Sequence, residues 1–142
     1  MMRKVDWLLA AIAQAGDRGL SPIQIQKTMF LLKMEAAAHM PSHFYTFEPY
    51  NYGPFDAAIY RDVDLLVLGG LVREEAAGSY KKYVITAAGL KQANSLIAKL
   101  STKPKKYLQS LVGWISKVSF HQLLRSVYAK YPKYATKSLF RG

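Results

Sequence analysis

A long apolar segment near the start of the chain constrains the fold more than any other feature. Ser21 is a good helix N-cap, Pro22 suits a first helical turn, and Pro41 marks an end. Between them, apolar side chains recur at helical spacing and cover almost every face: Ile25, Met29, Phe30, Leu31, Leu32, Met34 and Ala36. A helix with this pattern has to be surrounded by other elements. The sequence therefore predicts a central, buried helix over residues 22–40.

Other helices and a β-hairpin are predicted around this central helix. Helical periodicity and Gly/Pro punctuation place further helices at residues 3–15, from 54 or 56 to 69, 88–100, 107–118 and 120–131. β-Branched and aromatic residues place strands at 44–49, 71–75 and 81–86, with a turn at 76–79 between the last two.

This order of elements predicts an α+β, mostly α, winged-helix-like single domain across residues 1–142, with about six helices and a small β-hairpin sheet. We expect a core at residues 1–100 that includes a wing at residues 71–87. A C-terminal helical pair at 105–131 and a basic aromatic tail at 132–142 complete the domain.

The composition is typical of a globular protein in a reducing compartment. Hydrophobic residues make up 51% of the chain and charged residues 20%, which excludes a disordered chain. The absence of cysteine excludes a disulfide framework and a thiol nucleophile. Asp6 interrupts the N-terminal apolar run, and no apolar run approaches the roughly 20 residues of a membrane span. We therefore expect a cytoplasmic protein with no membrane partner.

The charge is divided unequally along the sequence. The chain has 20 Lys and Arg and 9 Asp and Glu, and the last acidic residue is Glu75. The 67 residues after Glu75 carry 13 of the basic side chains and no carboxylate, so the whole net charge of +11 comes from this half. A positive face attracts a polyanion or an acidic protein over about one Debye length, roughly 8–10 Å. The alternative is a basic surface that has no specific partner.

The candidate contacts for an anionic partner lie in the wing, in a basic connector at residues 101–106 and near the C-terminus: Lys81, Lys82, Lys103, Lys105, Lys106, Arg125, Lys130, Lys133, Lys137 and Arg141. Tyr128, Tyr131, Tyr134 and Phe140 alternate with the C-terminal basic residues, a pattern suited to stacking the bases of a single strand. Alternatively, Tyr128 and Tyr131 continue an apolar stripe and pack inward.

Reading of a DNA major groove by the third predicted helix is disfavoured. A helix-turn-helix needs a turn of 3–4 residues, whereas about 13 residues (41–53) separate the second and third predicted helices. The third helix segment carries Asp56, Asp62 and Asp64 against Arg61 alone. Carboxylates repel phosphates, so any nucleic acid is expected at the wing and the C-terminal half.

Catalytic, cofactor and metal signals are weak. Glu35, His39 and His43 have helical spacing, but Pro41 interrupts the helix before His43. The glycines form neither a phosphate-binding loop nor a dinucleotide fingerprint. We expect no enzyme activity, no metal and no cofactor.

Three segments together resemble the Panacea (SocA-like) antitoxin group and its YwgA-like relatives. They are residues 25–32 (Ile-Gln-Lys-Thr-Met-Phe-Leu-Leu), residues 52–55 (Tyr-Gly-Pro-Phe) with 59–60 (Ile-Tyr), and residues 123–132 with Ser138. The residues matching the family motif are Gln26, Lys27, Tyr52, Gly53, Pro54, Phe55 and Tyr60. Asp56 departs from the small or hydroxyl residue that many relatives have there, although both types can cap a helix.

The resemblance implies a non-catalytic, winged-helix-like module that neutralises a partner toxin by protein contact. It is equally compatible with Gln26 and Lys27 being polar anchors for the Gly53-Pro54 turn. The sequence thus leaves two hypotheses: an antitoxin-like binding module for a protein partner, or a DNA- or RNA-binding regulator that uses the basic half. A homodimer is possible in either case.

Overall fold

The structure is a computed structural model that describes residues 2–140. Within this range the helices are α1 (Lys4–Gln14), α2 (Pro22–Glu35), α3 (Ala58–Leu68), α4 (Ala87–Ala98), α5 (Thr102–Ile115) and α6 (Phe120–Lys130). The strands are β1 (Glu48–Tyr50), β2 (Gly53–Phe55), β3 (Val72–Ala77) and β4 (Tyr80–Ile85), paired as two antiparallel hairpins. The α+β, mostly α fold with six helices is confirmed for residues 2–140, but a second hairpin accompanies the predicted one.

The helix α2 lies at the centre of the core, as predicted. Ser21 begins it with a reciprocal capping box: its hydroxyl accepts from the Gln24 N–H, and the Gln24 side chain accepts from the Ser21 N–H. Met29, Phe30 and Leu32 are fully buried, and the apolar helix α1 packs against α2.

The end of α2 is earlier than predicted. The helix stops at Glu35, and Ala37–His39 forms a separate 3₁₀ turn. Ala36 leaves the helical region with φ of −130° and ψ of 34°, and Met40, the residue before Pro41, is extended, so the last predicted turn is separate from the helix.

The first hairpin, β1–β2, corrects two predictions. The predicted strand at 44–49 is reduced to β1, which starts at Glu48, and Pro54 lies in β2 rather than at a helix start. Gly53 makes the tight connection possible with φ of 98°, a conformation that glycine adopts without strain. The helix α3 therefore starts at Ala58 rather than at 54 or 56, and it buries Ile59, Val63 and Leu66 as expected.

The second hairpin is the wing, with Val72 opposite Ile85 and Ala77 opposite Tyr80. Its strands reach further than predicted, so the turn is Gly78-Ser79, and Leu20 adds one bridge to the outer edge of β4 at Tyr83. Thr86 caps α4 by accepting from the Gly89 N–H at 3.0 Å. A Cβ at Gly89 would lie 1.9 Å from the Leu71 carbonyl oxygen, so only glycine permits this packing of α4 against the wing.

The C-terminal segment wraps over the core. The predicted connector at 101–106 is mostly the first turn and a half of α5, because Pro104 sits where the helical N–H groups have no internal partner. The helix ends at Ile115 and not at 118, and α6 ends at Lys130. Tyr131 and Tyr134 then pack edge to face on Phe30, with ring centroids 5.2 and 4.7 Å away. Nowhere in residues 2–140 is there a helix long and apolar enough to cross a membrane.

Candidate binding site

The motif glutamine Gln26 anchors the chain that leads into α3. Its side-chain amide donates to the Asp56 carbonyl and accepts from the Asp56 N–H, both at 3.0 Å. Asp56 in turn accepts from the backbone N–H groups of Thr46 (2.8 Å) and Ala58 (2.9 Å). These bonds hold residue 56 outside the helix, which explains the late start of α3, and they assign Gln26 a structural role as a polar anchor.

The motif lysine Lys27 lies beneath the turn that Gln26 supports. Its side chain is 2% exposed, and its Nζ donates to the Pro54 carbonyl at 3.3 Å. Burial lowers the pKa of the Lys27 amine to about 7. A Cβ at Gly53 would lie 3.2 Å from Lys27 Cε and 3.3 Å from a ring carbon of Tyr128, so the turn needs both its positive φ and its lack of a side chain.

The aromatic motif residues pack around this turn. Phe55 stacks on Tyr50 at 4.6 Å and meets the edge of Tyr60 at 5.7 Å, while Tyr52 contacts Phe120 at 5.5 Å. The structure thus brings all the motif residues together, and each contributes to positioning β1–β2 and α3. Their arrangement has no pair of acid and base side chains suited to catalysis.

The candidate lysines of the wing face carboxylates across the hairpin. Lys81 Nζ lies 3.4 Å from Glu74, and Lys82 Nζ lies 3.9 Å from Glu75, which also binds Arg73 at 2.5 Å. The register places Glu75 directly opposite Lys82, so the last acidic residues pair with the first basic ones that follow them. The positive charge expected on the wing is therefore largely balanced locally.

The C-terminal basic residues have different environments. Lys130 forms an ion pair with Glu35, and Tyr131 donates to the same carboxylate. These two hydrogen bonds hold the pKa of Glu35 below its usual value. Lys133 lies over the Tyr134 ring at 5.6 Å, whereas Arg125 and Lys137 are exposed; Arg141 lies outside the described residues.

The tail aromatics are engaged with protein groups. Tyr131 and Tyr134 pack on Phe30, and the Tyr128 hydroxyl donates to the Ser138 hydroxyl at 2.6 Å. Phe140 contacts the His121 ring at 5.2 Å. The inward-packing alternative for Tyr128 and Tyr131 is therefore the one observed, and these rings are not a free stacking platform.

The start of α5 carries the most concentrated unbalanced charge. Lys103, Lys105 and Lys106 lie within about one turn, and exposed Lys99 precedes them at the end of α4. Within residues 2–140 none of the four forms an ion pair. Cations at a helix N-terminus are also disfavoured by the helix dipole, so these lysines do not stabilise the fold. They give this corner of the surface a positive potential.

Sequence reasoning missed a cleft of about 750 Å³ between the start of α2, the tip of the wing and the corner that joins α5 to α6. We call it the wing cleft; side chains that face it include Arg18, Ile23, Tyr80, Lys82, Ser116 and Phe120. These residues are far apart in sequence and follow no motif. The sequence shows apolar residues in the first turns of α2 and α6, but single apolar residues on a surface are common and do not indicate a cleft.

Comparison with protein-family models, with curated proteins and with solved structures gives no match for this chain. The antitoxin resemblance consequently stays a prediction. In the part of the chain that the structure describes, no group of three His, Asp or Glu side chains is placed to hold a metal ion.

Proposed function

We propose that this protein is a non-enzymatic, cytoplasmic binding module that holds an acidic protein partner and neutralises or regulates it by direct contact, as an antitoxin does. The observation that carries this proposal is the unbalanced charge where α4 meets α5. Lys99, Lys103, Lys105 and Lys106 are cationic and have no carboxylate partner within residues 2–140, although such clustering opposes helix formation.

Two surfaces that a nucleic acid would need, the wing and the tail rings, are poorly suited to bind one. This favours a protein partner. The wing lysines Lys81 and Lys82 lie beside Glu74 and Glu75, so phosphates approaching them also meet carboxylates. The tail rings pack inward and offer no stacking platform for bases. An acidic protein surface can use the α4–α5 corner without either feature.

Co-expression tests the antitoxin-like proposal. We expect that the product of an adjacent gene is toxic when expressed alone and harmless when this protein is co-expressed, and that the two co-elute in size-exclusion chromatography. A triple variant Lys103→Ala, Lys105→Ala, Lys106→Ala should weaken the complex and reduce its salt dependence, while Lys91→Ala on exposed α4 serves as a control. Absence of any neutralised neighbour, or a complex indifferent to the triple variant, would refute the proposal.

The second candidate function, nucleic-acid binding, has one observation in its favour, the close spacing of the lysines at the start of α5. Fluorescence anisotropy with 20-mer single- and double-stranded DNA between 50 and 200 mM salt tests it. If the three lysines contact duplex phosphates, the triple variant should lower the slope of log K against log[salt] by about 2.7, roughly 0.9 per phosphate contact. An unchanged slope argues against nucleic acid at this corner.

A further inference from the structure

The wing cleft joins three elements that are remote in sequence. Arg18 precedes α2, Tyr80 and Lys82 belong to the wing, and Ser116 and Phe120 lie at the α5–α6 corner. Two long-range bonds fix this corner against the start of α2: Arg18 Nη1 donates to the Ser116 carbonyl at 3.1 Å, and Gln24 Nε2 donates to the Ile115 carbonyl at 3.3 Å. The walls of the cleft are therefore held by the fold, and the cavity exists before any partner binds.

The cleft combines an apolar surface with cations. Ile23 and Phe120 contribute apolar surface, and Tyr80 and Phe120 remain 63% and 39% exposed. Arg18 and Lys82 supply positive charge, and no Asp or Glu is among the described residues that face the cleft. Exposed Tyr, Phe and Arg are the residues that anchor protein–protein contacts.

A polar atom in the wall also lacks a partner. The Ser116 hydroxyl oxygen is buried and has no hydrogen-bond partner among residues 2–140. Arg18 uses one nitrogen for the Ser116 carbonyl and forms no ion pair within that range, so its remaining donors are available. Lys82 lies 3.9 Å from Glu75, so its charge is largely balanced within the wing, and Arg18 is the cleft cation that has no ion-pair partner in the described range. A carboxylate from a bound segment would complement the free donors of Arg18.

We propose that the wing cleft binds a short segment of the protein partner in which apolar side chains are flanked by carboxylates. The apolar side chains occupy the space beside Ile23 and Phe120, and the carboxylates face Arg18. The charge of the walls selects acidic segments, and the exposed rings supply the contact area. This inference rests on the proposed function, because it names the part of the partner that the module recognises.

Selection from a random 12-residue peptide library displayed on phage tests the chemistry without knowledge of the partner. We expect enriched peptides to combine apolar residues with Asp or Glu, and synthetic copies to bind in fluorescence anisotropy. Tyr80→Ser, or Arg18→Glu with Lys82→Glu, should weaken binding at least about tenfold. Tyr80 is 63% exposed at the tip of the wing, so its variant tests the cleft with little effect on the fold.

A matched control is Leu90→Ser, which removes an exposed apolar side chain from α4, away from the cleft, and should change binding less than about twofold. Failure to enrich any peptide, enrichment of peptides without carboxylates, or equal binding by the Tyr80→Ser variant would each overturn the cleft proposal. The co-expression test distinguishes the two proposals. If neutralisation survives Tyr80→Ser and the Arg18→Glu, Lys82→Glu double variant but is lost in the triple lysine variant, the cleft proposal is refuted and the proposed function stands.

Discussion

Replacing Lys27 by methionine should remove a pH dependence of stability that the buried amine creates. Lys27 is 2% exposed and its only hydrogen bond among the described residues is to the Pro54 carbonyl, so burial disfavours its charged form and lowers its pKa from 10.5 to about 7. In the unfolded chain the amine keeps its ordinary pKa. Between pH 7 and 10.5 the unfolded state therefore binds more protons than the folded state, and the free energy of unfolding rises with pH.

The magnitude follows from the two pKa values. Each pH unit contributes about 1.4 kcal/mol for each proton of difference between the states. The folded amine is half protonated at pH 7 and almost neutral at pH 9, whereas the unfolded amine stays mostly charged. The Lys27 contribution to the free energy of unfolding should thus increase by about 2 kcal/mol between pH 7 and 9. Below about pH 6 both states are protonated and the contribution becomes constant.

Urea unfolding monitored by tryptophan fluorescence, to which buried Trp7 and exposed Trp114 contribute, measures this at pH 7, 8 and 9. The free-energy difference between wild type and Lys27→Met should change by about 2 kcal/mol across the window, because all other titrations cancel. Lys91→Met, which removes an exposed amine from α4, should give a difference that does not vary with pH. Parallel pH profiles for wild type and Lys27→Met would refute the placement of an uncompensated amine beneath the turn.

Four further substitutions, of which Gly113→Ala is a control, test the packing and hydrogen bonds. Gly89→Ala should destabilise by about 3 kcal/mol in urea unfolding because its Cβ meets the Leu71 carbonyl, whereas Gly113→Ala, with open space around it, should stabilise by about 0.5–1 kcal/mol. Gln26→Leu should cost about 1–3 kcal/mol, because it leaves the Asp56 N–H unpaired and removes one of the two donors to the Asp56 carbonyl, and it should speed proteolysis of the β1–β2 hairpin. Glu35→Gln should cost about 1 kcal/mol or less at pH 7 and flatten the loss of stability as the pH falls below 4.5, since the lowered pKa of Glu35 makes its contribution greatest when ionised. Equal stabilities of Gly89→Ala and Gly113→Ala would contradict the first prediction. The second is contradicted if the β1–β2 hairpin of Gln26→Leu resists proteolysis as well as wild type does, and the third if Glu35→Gln leaves the loss of stability in acid unchanged.

The elements that local chemistry determines were predictable from the sequence. The capping box at Ser21, the apolar pattern of α2 and the alternating strand pattern before Thr86 act within a few residues, so they place the central helix and the wing. The late start of α3 was not predictable, because Gln26, 30 residues away in sequence, holds the backbone of Asp56 in a non-helical conformation. The helix boundaries predicted from two prolines were both wrong: α2 ends six residues before Pro41, whereas Pro104 lies inside the first turn of α5.

Candidate site residues were identified by charge, but the sequence did not indicate which charges remain unbalanced. The register of the wing brings Glu74 and Glu75 beside Lys81 and Lys82, and this pairing needs a hairpin turn of a specific length. The wing cleft was not predictable either, since its walls come from three segments whose proximity is a property of the tertiary fold.

Several carboxylates of the first half are engaged within the fold. Asp56 binds backbone N–H groups, Asp62 accepts from Tyr45 at 2.6 Å, and Glu35 binds Lys130, so much of the acidic charge is used within the fold. An approaching partner therefore meets carboxylates that are already engaged. The lysines at the start of α5 have no such partners in the described range and are close together, so they contribute to the long-range attraction, while the wing cleft with its exposed rings supplies short-range selectivity. The α4–α5 corner should consequently govern the association rate and its salt dependence, and the cleft should govern the dissociation rate. Stopped-flow measurements on the triple lysine variant and on the cleft variants would separate these contributions.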